Sequence, residues 1–243
     1  MGKKIGQLLL AAGIDLVLLL VLLHGTLGSG FCETTKTGAS GTGYWASDRE
    51  QETVKAFPEE KVVALTFDDG PHPVCTKDLL NGLKKRGVEA TFFLMGSNIE
   101  GNEDIVRRMQ KEGHLIGNHG YQHVQMTEAG VGKVADSVEK TSQIIKEITG
   151  EEPEYLRPPY GDWNEELAES IELTPVFWSV DSLDWKYQNT PGIASRVLKK
   201  VEDGDIILMH DIFPTSVEAA LEIVDTLLAQ GYTFVTADEL IID

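Results

Sequence analysis

Cysteine is nearly missing from this chain. Only Cys32 and Cys75 occur in 243 residues, so a disulfide framework is excluded and at most one bridge is available. Zinc sites built on several thiolates are excluded with it. Positive charge is scarce as well: Lys and Arg number 21 against 39 Asp and Glu, a net charge of −18. So acidic a body lacks the basic surface that tracks nucleic-acid phosphates or settles on anionic headgroups. Its simplest reading is a solvated, soluble exterior. No G-x-G-x-x-G follows an apolar run, so a dinucleotide site has no support. What remains is 42% hydrophobic and 25% charged, the balance of an ordinary globular protein. The length suits one domain of roughly 200 residues with an N-terminal extension.

That extension differs from the rest. A basic start, Lys3-Lys4, precedes the apolar run Gln7–Gly28, broken only by Gln7, Asp15 and His24. Residues 1–30 read as an export signal or a membrane anchor, with the lysines on the cytoplasmic side. The span from Ile5 to Leu23 approaches the ~20 residues that cross a bilayer. Asp15 near its centre costs ~3 kcal/mol on the insertion scale, which favours a transient signal or a weak tether. Residues 31–54 are rich in Gly, Ser and Thr and read as a linker. Residues 55–243 are expected outside the cytoplasm, in the cell envelope or secreted, as a monomer.

In that body short apolar runs alternate with amphipathic stretches. Strands are expected at 62–67, 90–96, 114–118, 155–158, 175–180, 205–210 and 232–237, each rich in β-branched or aromatic residues. Helices are expected at 76–87, 103–113, 134–150, 194–204 and 216–231, each closing on glycine. Seven strands alternating with helices imply a parallel sheet with right-handed crossovers. About 190 residues are too few for a regular eight-unit barrel of ~250. A shortened or irregular (β/α) barrel is the first expectation and an open doubly wound sheet the second.

Polar clusters sit at the C-terminal ends of five of these strands: Asp68-Asp69-Gly70, His119 with His123, Arg157 to Gly161, Asp181 to Trp185, and Leu208 to Asp211. In parallel α/β folds these ends share one face, where sites are built. Singly each cluster is weak; H-x-x-x-H, for one, lacks the glutamate of H-E-x-x-H. Jointly they are informative. One Asp and two His make a three-ligand set with open positions, the arrangement of a catalytic divalent metal. A second carboxylate can take a proton from water, and strand alternation would point the adjacent Asp68 and Asp69 in different directions. His210, tuned by an acid such as Asp184, can protonate a leaving amine. His72 and His114 read as structural.

Taken in order, these motifs resemble those of the NodB-type polysaccharide deacetylases, carbohydrate esterases that remove N-acetyl groups from chitin-like or peptidoglycan glycans. The resemblance covers residues ~55–243 and implies a distorted (β/α)7 barrel with the site at the C-terminal ends of the strands. It implies Asp68 as catalytic base, and Asp69, His119 and His123 as ligands of one divalent ion, zinc first, with cobalt, manganese or nickel as alternatives. It further implies Arg157 as the group orienting the base, and Tyr160 as a backbone donor to the oxyanion. Asp184 would tune the general acid His210, Trp185 would form a groove wall and Leu208 an acetyl pocket. The expected substrate is N-acetylglucosamine in peptidoglycan, with a chitooligosaccharide or poly-N-acetylglucosamine as alternative. A glycan-binding relative without turnover and a hydrolase of non-sugar amides are the competing classes; an open groove beside Trp185 argues against the latter.

Two positions depart from the family pattern. Gly120 stands where a Ser or Thr usually follows the first metal histidine, which removes a hydroxyl that steadies the loop. Gly120→Thr is therefore expected to tighten metal binding, provided that φ at this position is negative. Cys75 stands where an aromatic residue is expected.

Overall fold

The structure, a computed structural model, describes residues 60–241. The expected signal or anchor at 1–30, the linker at 31–54, Cys32 and the first residues of the domain expected at 55–243 lie outside the described residues. Eight strands are present: β1 (Lys61–Asp68), β2 (Thr91–Leu94), β3 (Leu115–Asn118), β4 (Tyr155–Leu156), β5 (Thr174–Pro175), β6 (Val180–Asp181), β7 (Asp205–His210) and β8 (Tyr232–Val235). The helices are α1 (Cys75–Arg86), α2 (Gly96–Ile99), α3 (Glu103–Lys111), α4 (Met126–Ala129), α5 (Val131–Thr149), α6 (Glu165–Ser170), α7 (Thr190–Leu198) and α8 (Pro214–Ala229). No helix among the described residues is long and apolar enough to cross a membrane.

Every strand pairing is parallel, in the order β5-β4-β3-β2-β1-β7-β6, with β8 also on β1. β1 is the spine: it pairs with β7 along 63–68, with β8 at 61–64 and with β2 at 66–68. Its last six residues are buried, as a strand covered on both faces requires. Leu79, Leu80 and Leu83 of α1 join Ile223, Val224 and Leu227 of α8 in the main core on one side of the sheet. A second cluster joins Val134 and Val138 of α5 to Leu156 and Leu167.

The expected strand at 175–180 is two strands, and the chain between them bridges the two edges of the sheet. β5 and β6 are the opposite edges of the sheet. Val176 N–H still donates to Leu156 O at 2.8 Å on one edge, and Ser179 N–H donates to Ile206 O at 3.0 Å on the other. One continuous stretch thus serves both edges, and the apolar pattern could not reveal that its neighbours change between Val176 and Ser179. The curved sheet is the distorted barrel of the first expectation.

Arg157, following β4, fills this seam and is 0% exposed. Its Nε donates to Val176 O at 3.1 Å and its Nη2 to Phe177 O at 3.3 Å. Its Nη1 donates to Thr66 Oγ1 at 2.6 Å and to Asp68 Oδ1 at 3.0 Å. The Phe93 ring lies 4.3 Å from the guanidinium carbon, within cation–π range.

α7 also differs from expectation, spanning 190–198 rather than 194–204. Asn189 caps it, its side chain accepting from Gly192 N–H, and Pro191 fits the first turn. Beyond Leu198 the carboxylates of Asp203 and Asp205 accept from Val62 N–H and Glu202 N–H, which turns the chain into β7 instead of extending the helix.

Replacing Arg157 by Met strands the buried Asp68 charge and the two seam carbonyls. The expected loss is about 3–5 kcal/mol of folding free energy, read by urea unfolding. A loss under ~1 kcal/mol would show that the seam closes without this side chain.

Candidate active site

β1 and β7 run side by side with Thr66 opposite Leu208 and Asp68 opposite His210. Residues two apart on a strand share a face, and Arg157 marks that face by reaching both Thr66 and Asp68. Leu208 is buried there, one step below His210. Burial lowers the Arg157 guanidinium from its ordinary value, opposed by the charge of Asp68.

At Asp69 the backbone turns left-handed, with φ of 72°, and Asn98 Nδ2 secures the turn by donating to Asp69 O at 2.8 Å. Strand alternation was expected to part the two carboxylates. Both instead converge on one atom: His119 Nε2 is 3.8 Å from Asp68 Oδ2 and 3.5 Å from Asp69 Oδ1. Two further non-glycine residues have positive φ among the described residues, Tyr160 at 62° and Leu183 at 55°. All three lie in the strand-end loops of this site, where strained backbone tends to collect.

His119 directly follows β3, and its ring is set by a 2.6 Å contact between Nδ1 and Arg157 O. A carbonyl only accepts, so Nδ1 carries the proton and Nε2 presents a lone pair. His119 Nε2 and Asp69 Oδ1 are both buried without a hydrogen-bond partner. His123 Nε2 lies 3.7 Å from the same Asp69 oxygen. Ligand atoms of Asp69, His119 and His123 all lie within 4.8 Å of one another. Ligands at ~2.1 Å from a common tetrahedral ion stand roughly 3–4 Å apart, so this trio fits a small divalent cation. Burial, only partly opposed by Asp69, holds the His123 imidazole below its ordinary value, which favours the neutral ring that a metal requires.

Opposite the trio, Asp184 clamps His210 twice. Its Oδ2 accepts from the His210 backbone N–H at 2.8 Å and its Oδ1 meets Nδ1 at 2.7 Å. Burial would raise the Asp184 carboxyl, but His210 more than offsets this and its pKa lies below the usual range. Burial likewise opposes charge on His210, yet the hydrogen bond and charge of Asp184, with Asp68 and Asp69 adding, push its pKa up to about 9. Tyr160 stacks edge-on to the His123 ring with centroids 4.3 Å apart. Tyr160 and Trp185 are 65% and 52% exposed, so the rim of the site is open.

A model of the family described as polysaccharide deacetylase matches residues 55–176. The chain belongs to the polysaccharide deacetylase family. It is 42% identical over 191 residues to the peptidoglycan-N-acetylmuramic acid deacetylase PdaC of Bacillus subtilis, covering 79% of this chain and 40% of PdaC. It is 43% identical over 180 residues to the peptidoglycan-N-acetylglucosamine deacetylase PgdA of Listeria monocytogenes, covering 74% and 39%. The chain thus spans about two fifths of the length of these curated relatives. The PdaC structure superposes with a TM-score of 0.74, covering 76% of this chain and 91% of that one at 42% identity. A family 4 acetyl xylan esterase from Clostridium thermocellum, solved with a cobalt ion, gives a TM-score of 0.71 at 36% identity, covering 74% and 90%.

All ten residues singled out in the sequence lie on strands or strand-end loops of this chain, and the contacts above tie eight of them together; Leu208 and Trp185 stand beside His210 and Asp184. His72 and His114 are structural, as expected. His72 Nδ1 accepts from the N–H groups of Val74 and Cys75 at the start of α1, and His114 Nδ1 accepts from Ala90 N–H. Cys75 is a buried free thiol in the main core; nothing in the structure explains why it replaces an aromatic residue. Sequence reasoning missed Asn98 and gave no role to the fully buried Asp211, which accepts from Thr76 Oγ1 and packs against Gly70. Asp211 directly follows His210, and that adjacency was the only signal.

Gly120 overturns the condition attached to it. Its φ is +75°, where a β-branched residue is strained, although a Cβ would meet nothing closer than 3.5 Å. Gly120→Thr is therefore expected to lower stability by about 1–3 kcal/mol without tightening metal binding. Thermal unfolding and a metal titration of both proteins check this; a Thr variant with unchanged stability and higher affinity would restore the earlier expectation.

Proposed function

We propose that this chain is a metal-dependent N-deacetylase of the cell envelope. It hydrolyses N-acetyl groups of amino sugars in peptidoglycan, with N-acetylglucosamine as the first sugar and the segment at 1–30 as its export signal or tether. The observation that carries this reading is the convergence of three devices on one face. These are the Arg157-held base Asp68, the trio Asp69, His119 and His123, and the Asp184-clamped acid His210. The names of PdaC and PgdA support peptidoglycan and divide over which of its sugars is attacked.

A divalent ion held by Asp69, His119 and His123, zinc in the first instance, would polarise the acetyl carbonyl and acidify a water when bound. The residues supply the rest. Arg157 holds Asp68 through Oδ1 and leaves Oδ2 facing the trio, where it takes the proton of the attacking water. The backbone N–H of Tyr160 donates to the carbonyl oxygen as it gains charge. His210 is engaged through Nδ1, so Nε2–H faces the substrate and passes its proton to the sugar nitrogen as the C–N bond breaks. Acetate and the free amine leave. Leu208 lines the pocket for the acetyl methyl, and Trp185 offers a flat apolar wall to a sugar ring. The exposed rim suits a polymer threading past better than a small enclosed amide.

Acetate release from purified peptidoglycan, with mass spectrometry locating each lost acetyl group, tests the proposal. Activity is expected to vanish with a chelator and return with zinc or cobalt. Asp68→Asn is expected to lose 10²–10⁴-fold in rate while still binding metal, and Asp69→Asn to lose metal first. Acetate released only from chitooligosaccharides or poly-N-acetylglucosamine would move the substrate, and none from any glycan would leave a binder.

Activity that needs imidazolium at His210 is favoured at neutral pH and falls as pH rises through its raised pKa. Asp184→Asn removes the bond and the charge that raise it. The alkaline limb of the rate profile is expected to move down by about 1–3 pH units, measured over pH 5–11. An unmoved limb would assign the tuning of His210 to another group.

A further inference from the structure

The loop that carries the two histidines of the trio contains a residue with no side chain between them. Gly120 follows His119 directly, and its left-handed backbone bars the replacement that would add a hydroxyl there. The loop is nonetheless held on every side. Gly120 N–H donates to Asn118 Oδ1 at 2.7 Å, and Gly120 O accepts from Gly96 N–H at 2.9 Å. Tyr121 O accepts from Ser97 N–H at 3.0 Å, and Tyr121 N–H donates to Ser137 Oγ at 2.8 Å.

Ser137 is unlike the other anchors. It comes from α5, sixteen residues away, and it is the only side chain among these partners that reaches the loop from outside its own strand. Its Oγ lies 3.6 Å from the point where a Cβ of residue 120 would sit, so it occupies the space a side chain at 120 would reach. Tyr121 is thereby gripped through both N–H and C=O, two residues before His123. His123 needs that grip. His119 is fixed by Arg157 O, whereas the His123 side chain is 28% exposed, and past Tyr121 the next backbone bond is the local Val124 N–H to Gln122 O.

We infer that Ser137 is a positioning residue for the candidate metal ligands: its hydroxyl, supplied from α5, fixes the loop that places His123 beside Asp69 and His119. This rests on the metal-site reading of those three residues. Groups that orient metal ligands commonly change affinity by 10–100-fold when removed. A purely helical role for Ser137 predicts the opposite sign, because Ala is the better helix former.

The test is cobalt titration of the full chain, followed by the visible absorption of bound Co²⁺, with thermal unfolding of the metal-free proteins as the folding control. Ser137→Ala is expected to stay folded, with an unfolding temperature at or slightly below the parental one, to bind Co²⁺ about 10–100-fold more weakly and to show an altered band. Ser137→Thr keeps the hydroxyl and is expected to restore most of the affinity. Parental affinity and spectrum in Ser137→Ala, or a Ser137→Thr protein as weak as the alanine variant, would overturn the inference while the metal site stands. A parent protein whose Co²⁺ binding is absent, or unaffected by His123→Ala, would overturn both.

Discussion

A single buried cation ties the fold to the chemistry. Arg157 sits inside the barrel with no exposed surface, and leaving a charge there unpaired would cost several kcal/mol. It is tolerated because four of the five guanidinium N–H groups find acceptors in Val176 O, Phe177 O, Thr66 Oγ1 and Asp68 Oδ1. Thr66 passes the chain on to Ile207 O at 2.7 Å. β1, β4, the β5–β6 seam and β7 therefore meet at one side chain. The carbonyl of the same residue fixes the tautomer of His119. The seam of the barrel, the orientation of Asp68 and the lone pair of His119 are set together, so none can shift without disturbing the others.

The two halves of the site use the same device with opposite results. In each, a carboxylate is paired with a nitrogen cation or imidazole under deep burial. Asp68 gives one oxygen to a permanent cation and keeps the other free for the substrate side. Asp184 gives both oxygens to His210, so its charge is spent on raising the ring and none faces outward. One acid is left as an acceptor and the other makes its neighbour a donor. An acceptor carboxylate and a donor imidazole held on one face are the pair that base and acid chemistry at a single pH requires.

How much of this could be read from the sequence follows from what each signal encodes. Strands such as β1, β2 and β7 are buried on both faces, so their apolar runs stood out. The clustering of the strand-end residues was legible because a parallel fold gathers strand ends on one face. The seam was not legible: Val176 to Ser179 changes ladder partner without any change in hydrophobicity. The start of α7 was missed because apolar periodicity was read there in place of the Asn189–Pro191 cap. The conformation of Gly120 was missed because glycine is compatible with either sign of φ. Asn98 and Ser137 act by contacts 29 and 16 residues away in sequence, and a lone Asn or Ser carries no mark of that work.

The division between a rigid interior and an open rim bears on the kind of substrate. Asp68, Asp184, Arg157, His119 and His210 are all buried, with His210 the most accessible at 9%. Their geometry is set before any ligand arrives, as electrostatic stabilisation of a transition state requires. The aromatic side chains Tyr160 and Trp185 stand in solvent instead. Aromatic faces held open cost apolar exposure, and that is tolerated where a ligand covers them. A small amide would be served better by a pocket that excludes water on all sides. A polymer cannot be enclosed. It needs a wall on which a ring can rest while one acetamido group reaches down to the buried groups. Reaction at a chosen acetyl group then depends on how far the chain can descend between Tyr160 and Trp185. On the proposed reading, the choice between the two amino sugars of peptidoglycan belongs to the rim, which is free to vary while the interior stays fixed.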